Sequence, residues 1–261
     1  MVTPFIRKLE TFGPLPEGDK RALEQAVGCT RRVGAGRALV REGDRPAECQ
    51  LILQGFAYRH RTLDDGQRQI MSFEIPGDLC DLHGLLLGRA DHAVATLTPC
   101  TVATLPHAVL ADWLETRPAV ARALWRGTLV DAAVSQAWVL NIGRRAARGR
   151  IAHMLCEVLR RLQAVGLAEG GTLPIPPAAI ADALGLSVVH VNRTLRRLHG
   201  EGLVTADDGQ VTVADLPGLQ EAGEFDPAYL FLGGNAGGRA GQGPGARPAD
   251  APDGAGHAGA W

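Results

Sequence analysis

Small and apolar residues recur at spacings of three and four along residues 118–142: Ala121, Leu124, Thr128, Ala132, Ser135, Val139 and Ile142. That period predicts one long helix whose stripe is close to a heptad seam and needs a partner. Pro118 suits its first turn. A second amphipathic helix follows, with Ile151, Leu155, Val158, Leu159 and Leu162 on one face. Two shorter helical patterns lie between Pro177 and His199. Ile180, Ala181 and Leu184 mark the first, and Val188, Val191, Leu195 and Leu198 mark the second. Gly185 stands where a helix end wants a left-handed residue, Leu186 plugs the turn, and Ser187 is a good N-cap.

Upstream the pattern is different. Residues 1–30 read as helical, with Pro16, Glu17 and Asp19 opening a segment striped by Leu23, Ala26 and Val27. From Arg31 glycine-bearing turns recur: Gly34/Gly36, Glu42-Gly43-Asp44, Gln54-Gly55, Asp64-Asp65-Gly66 and Pro76-Gly77-Asp78. Short apolar runs lie between them, such as Gln50–Leu53 and Gln69–Ile75, with Leu97–Leu105 a late strand. This punctuation predicts a small antiparallel barrel or roll. After the helical pair, Gly202–Thr205, Asp208-Gly209 and Val211–Val213 read as a β-hairpin. Residues 216–232 form an extension whose apolar side chains dock on the domain. From Gly233 to Trp261 the composition falls to Gly, Ala, Pro and a few charges, which predicts a disordered tail.

Counting from Pro177, a small residue falls fifth (Ala181), glycine ninth (Gly185) and valine fifteenth (Val191). A helix-turn-helix needs these for close helix crossing and a sharp turn. An ordinary helical hairpin with a solvated basic face shares the pattern.

Charge changes the picture by its distribution. The net charge of −1 gives no support to nucleic-acid binding. Residues 143–200, however, carry nine Arg against three acids, and residues 201–232 carry seven acids and no Lys or Arg. Such sidedness steers a polyanion to one face, unless the two segments neutralise each other internally. No apolar run is long enough to span a membrane, no signal-peptide pattern opens the chain, and a cytoplasmic protein is expected. The five cysteines, Cys29, Cys49, Cys80, Cys100 and Cys156, form no C-x-x-C, and most read as small buried hydrophobes.

The motif order then becomes specific. Val33-x-Ala-Gly36-x-x-Leu39-x-x-Glu42-Gly43-Asp44, then Leu51-Ile52-Leu53-Gln54-Gly55, then Pro76-Gly77-Asp78-Leu79, resembles the cyclic-nucleotide-binding β-roll. Joined to the helix-turn-helix through Arg148-Gly149-Arg150-Ile151-Ala152, it resembles the Crp/Fnr family of bacterial transcription regulators over residues 10–232. The resemblance implies an α+β chain: an N-terminal double-stranded β-roll (a cyclic-nucleotide-binding-like jelly roll), a long dimerisation helix and a C-terminal winged helix-turn-helix domain. The corresponding segments are 1–30 (N-terminal helical), 31–115 (sensor roll), 116–142 (dimerisation helix), 143–232 (DNA-binding domain) and 233–261 (tail). It also implies a homodimer zipped along Leu124, Thr128, Ala132, Ser135, Val139 and Ile142, with Trp125 and Trp138 beside that seam. Implied partners are pseudo-palindromic double-stranded DNA, RNA polymerase and an unidentified small-molecule effector, with no membrane.

By the same resemblance, Val188, Val189 and Arg193 reach base edges. Arg193 matches the family's arginine and suits a guanine edge. The two valines depart from the family's familiar Arg-Glu pair and offer only apolar contact. His190 and Asn192 are further hydrogen-bond candidates. Ser187, Arg196, Arg197, Arg148 and Arg150 are expected on phosphates, which position without specifying. For Arg196 and Arg197 a merely solvated face remains the alternative.

The sensor departs from the family's nucleotide cassette. Gly77-Asp78-Leu79 keeps an acidic residue, but the later end reads Arg89-Ala90-Asp91-His92 rather than Arg-Ser-Ala. The candidate effector pocket is therefore Gly77, Asp78, Leu79, Arg89, Asp91 and His92, and an aspartate where a phosphate would sit predicts that cAMP does not bind tightly. Residues 1–28 hold no cysteine, so no iron-sulfur cluster is expected. Cys80-x-x-His83, with Asp81 and His92, is a weak metal signal that structural roles explain as well, and no metal is assigned. No nucleophile elbow, phosphate loop or HExxH occurs, so no enzyme is expected. The alternative function is an effector-binding module whose winged helix contacts protein rather than DNA.

Overall fold

The computed structural model describes residues 3–232. The reading of 233–261 as a tail therefore lies outside the described residues. Two helices, α1 (Thr3–Thr11) and α2 (Glu17–Ala26), lead into eight strands. These are β1 (Thr30–Val33), β2 (Ala38–Val40), β3 (Glu48–Gln54), β4 (Ala57–Thr62), β5 (Arg68–Glu74), β6 (Leu79–Cys80), β7 (Ala93–Thr96) and β8 (Cys100–Pro106). A one-turn helix, α3 (Gly84–Leu87), links β6 to β7.

The strands form two antiparallel sheets, ordered β1-β8-β3-β6 and β2-β7-β4-β5. Alternation sends Val40, Ala57 and Val94 of one sheet, and Ile52, Cys80 and Val102 of the other, into a shared core. The turn after β5 shows why glycine stands at 77. Its φ is +97°, and a Cβ there would lie 2.6 Å from the Pro4 carbonyl oxygen. Helix α1 thus packs directly over this turn.

Helix α4 (His107–Thr116) precedes α5 (Pro118–Arg144), whose 27 residues span about 40 Å. Then come α6 (Ala147–Ala164), β9 (Thr172–Leu173), α7 (Pro177–Leu184), α8 (Val188–Gly200), β10 (Val204–Asp207), β11 (Gln210–Val213) and α9 (Leu216–Gly223). The hairpin turn of β10 and β11 has φ of +43° at Asp208 and +73° at Gly209. Positive φ at both central residues is the twist a two-residue hairpin requires.

The roll and the helical domain share one core, in which Phe56, Phe73 and Ile75 meet Trp138, Met154 and Leu155. Beside this core a buried polar network ties α5 and α6 to the C-terminal segment. Trp138 Nε1 and Tyr229 OH each donate to Glu157 Oε2 at 2.9 Å. His153 Nε2 lies 3.1 Å from the Tyr229 hydroxyl, and His153 Nδ1 lies 3.2 Å from the Gly223 carbonyl. Burial pushes the Glu157 carboxyl up, with Arg161 and the two hydrogen bonds pulling against it. Burial, then the Arg145 charge, lowers the His153 pKa to about 4, so the ring stays neutral at pH 7. Tyr229→Phe strips one donor from Glu157 and the partner from His153 Nε2. We expect a loss of about 1–3 kcal/mol in urea unfolding, with helix α8 untouched.

Candidate nucleic-acid interface and sensor cavity

The α7–α8 corner forms as its residue types dictate. Gly185 takes φ +62° and ψ +41°, and its N–H closes onto Ala181. The Ser187 side chain accepts the His190 N–H at 3.2 Å. Ala181 and Val191 are buried at the crossing, with Leu195 and Leu198 behind them. These contacts fix the direction of α8 and leave its other face to solvent.

That outer face carries the residues read as DNA contacts. Val188 is 44% exposed and Val189 78%. Arg193, Arg196 and Arg197 are exposed, and His190 and Asn192 are half-buried. Among the described residues Arg193 and Arg196 have no hydrogen-bond or ion-pair partner. The acidic residues 201–232 flank this face only in part: Asp207 and Asp208 of the β10–β11 hairpin line one cavity with Asn192 and Arg196, while further along Phe225 and Tyr229 pack against His153 of α6.

Part of the internal neutralisation is nevertheless present. Glu201 Oε2 takes Arg148 Nη2 at 2.6 Å, and Glu201 Oε1 takes Arg197 Nε at 3.0 Å. The Arg148 and Arg197 hydrogen bonds lower the Glu201 pKa, so the carboxylate stays charged. Arg150 departs further from the phosphate role expected of it. Its guanidinium donates to the Arg145 carbonyl at 2.7 Å and the Leu184 carbonyl at 3.2 Å, satisfying the end of α7. It orients the domain rather than offering itself to a phosphate.

Of the six residues read as a dimer seam, Thr128, Ala132, Ser135 and Val139 face solvent, and Leu124 does not. Leu124 is 4% exposed and packs with Phe5 and Phe12 of its own chain. The solvent-facing apolar positions are Trp125 at 64%, Leu129 at 56%, Val139 at 73% and Leu140 at 54%. Thr128, Ala132 and Ser135 lie on this exposed side, while Ile142 is half-buried and Trp138 faces inward.

The sensor cassette is split. Asp78 is 1% exposed and accepts Lys8 Nζ at 2.7 Å, Arg161 Nη2 at 2.7 Å and the Ile75 N–H at 2.8 Å. Burial alone would raise its pKa, but Lys8 and Arg161 win and lower it. Asp78 is thus a joint between α1, the roll and α6. Gly77 serves the turn under α1, Leu79 is core, and Arg89 is exposed beside Gly43. Only Asp91 and His92 of the expected pocket line the open cavity, of about 290 Å³, between the roll and α5. Sequence reasoning missed its other polar walls: Arg59, Ser72, Glu74, Asp131, Ser135 and Arg161. Arg59 pairs with Glu74 at 2.8 Å and Asp131 at 3.2 Å. Such partners are set by sheet register and helix docking, and no local motif announces them.

Comparison with known proteins matches both halves. The model of the cyclic nucleotide-binding domain covers residues 30–117, and that of the Crp-like helix-turn-helix domain covers 149–222. The chain belongs to the Crp/Fnr family. It is a DNA-binding transcription regulator of the Crp/Fnr type. It is 28% identical over 211 residues to the nitrogen fixation regulation protein FixK of Bradyrhizobium diazoefficiens, covering 80% of this chain and 88% of that one. It is 27% identical to the transcriptional activator protein FnrL of Cereibacter sphaeroides, over 80% and 86% of the two chains. The structure of FixK2 from Bradyrhizobium japonicum superposes with a TM-score of 0.66 at 26% identity, covering 75% of this regulator and 97% of FixK2. Among the described residues no helix is long and apolar enough to cross a membrane.

Proposed function

We propose that this Crp/Fnr regulator acts in the cytoplasm as a homodimer on a pseudo-palindromic operator. Two chains join along the exposed side of α5, through Trp125, Leu129, Ala132, Val139 and Leu140. Their recognition helices α8 then enter successive major grooves about 34–36 Å apart. Arg193 pairs with a guanine edge. Val188 and Val189 make apolar contact, for which a thymine methyl is the complementary group. His190 and Asn192 sit where they can add hydrogen bonds. Ser187, Arg196 and, after release from Glu201, Arg197 and Arg148 hold phosphates. The observation that carries this reading is the outer face of α8, where a 78% exposed valine stands beside Arg193 and Arg196, both unpaired among the described residues. Relatives described as transcriptional activators support a contact with RNA polymerase.

The test is selection of bound fragments from genomic DNA, followed by anisotropy titration across salt. Affinity should fall steeply with salt, each neutralised phosphate adding about −0.9 to the log–log slope. Undetectable or salt-independent binding would favour the protein-contact alternative.

The effector is not cAMP in this reading. Asp78 is saturated by Lys8 and Arg161, and the cavity's two guanidiniums are already engaged, Arg59 by Glu74 and Asp131 and Arg161 by Asp78, with Asp91 adding a further negative charge against a phosphate. Calorimetry should show no micromolar cAMP affinity, and cAMP should leave operator binding unchanged. An iron-sulfur cluster is likewise not proposed, because the buried cysteines are dispersed. Cys49, Cys156 and the Cys80/Cys100 pair lie in three separate apolar clusters.

A further inference from the structure

The loop between β6 and β7 folds back on itself around α3. This brings together three side chains that sequence spacing did not single out as a group: His83, Asp91 and His92. Their candidate donor atoms all lie within 4.8 Å of one another. Asp91 Oδ1 is 2.7 Å from His92 Nδ1 and 3.1 Å from His83 Nε2. The two imidazole rings stand 4.7 Å apart, centre to centre.

We propose that His83, Asp91 and His92 bind one divalent first-row transition-metal ion in the wall of the sensor cavity. The donor set is two imidazoles and a carboxylate. It suits zinc or ferrous iron, whereas magnesium and calcium prefer all-oxygen shells. Tetrahedral ligands at about 2.1 Å from a metal stand about 3.4 Å apart, so modest side-chain rotation closes the group. The Asp91 side chain is 71% exposed and free to swing, while the two rings are held by the fold.

A simple hydrogen-bonded triad leaves the arrangement unexplained. His92 is only 5% exposed, yet among the described residues its Nε2 has no hydrogen-bond partner. His83 Nε2 has no partner among the described residues other than Asp91 Oδ1, 3.1 Å away. Burial, reinforced by nearby positive charge, keeps both rings below the usual histidine pKa. Neutral imidazole is the form that ligates. The cavity beside the group, with Ser72, Asp131 and Ser135 on its walls, leaves room for water to complete the shell. Cys80 is not a member: it is buried in the roll core, and its thiol is pushed well up, first by burial and then by Glu74.

This inference concerns the site itself and is tested without DNA. The full chain, made without a histidine tag and stripped with chelator, is titrated with Zn2+ by calorimetry and with Co2+ by visible absorption. One ion per chain should bind with micromolar or tighter affinity, giving Co2+ bands of nitrogen–oxygen coordination, while Mg2+ should not compete. His83→Ala and Asp91→Asn should each weaken binding about tenfold or more, and together abolish it. Both residues border the open cavity, so circular dichroism and thermal melting of the stripped variants should match the stripped parent. Absence of saturable binding, or equal binding by parent and double variant, overturns the proposal.

Discussion

Leu129→Glu combined with Val139→Glu should convert a dimer into a monomer and reduce operator affinity by at least about a hundredfold. Both side chains face solvent in the single chain, at 56% and 73% exposure. The substitutions therefore disturb no packing within a chain and should leave its melting temperature nearly unchanged. In the proposed dimer each position occurs twice. Four buried apolar side chains contribute about 1.5–3 kcal/mol each as an upper bound, and four carboxylates buried without partners cost more. Loss of the dimer removes the second half-site, and with it the high effective concentration that two linked helices enjoy. Sedimentation equilibrium and operator titration of the same preparation read both effects.

Arg193→Ala should cost about 1–3 kcal/mol per half-site, or about 2–6 kcal/mol for a dimer on a two-fold operator. That corresponds to a reduction between about thirtyfold and twenty-thousandfold, confined to the specific sequence. Non-specific affinity should barely move, because that term comes from phosphates. Arg196→Ala provides the contrast. It should weaken all sequences alike and lower the salt slope by about one for each phosphate that Arg196 neutralises. A competition titration with specific and random duplexes separates the two patterns. Equal weakening on both duplexes for Arg193→Ala would remove it from base reading.

The parts legible in the sequence are those with local causes. The corner at Gly185 needed a left-handed residue, a small residue at Ala181 and a cap at Ser187, and each stands where the turn requires it. Strands β3 and β5 fall within a few residues of their apolar runs, because glycine turns bound them. Helix α5 begins at Pro118, as its first-turn proline indicated. The face that α5 buries was not legible. Apolar residues lie all round this helix, so periodicity alone could not choose between Leu124 and Trp125. Packing of α1 and Phe12 against Leu124 decides it. Long-range charge pairing was equally hidden. Asp78 meets Lys8 and Arg161, which lie 70 and 83 residues away, and a cassette that reads as a ligand site becomes a structural joint. Asp91 repeats the lesson in reverse. Read as an obstacle to phosphate, it takes a second meaning only when the fold sets His83 and His92 beside it.

The most direct test is the stoichiometry of the complex. Sedimentation velocity of the full chain with a duplex recovered from genomic selection should show two chains per duplex, and the complex should dissociate as salt rises. One chain per duplex, or a complex whose formation ignores both Arg193→Ala and salt, would contradict the account.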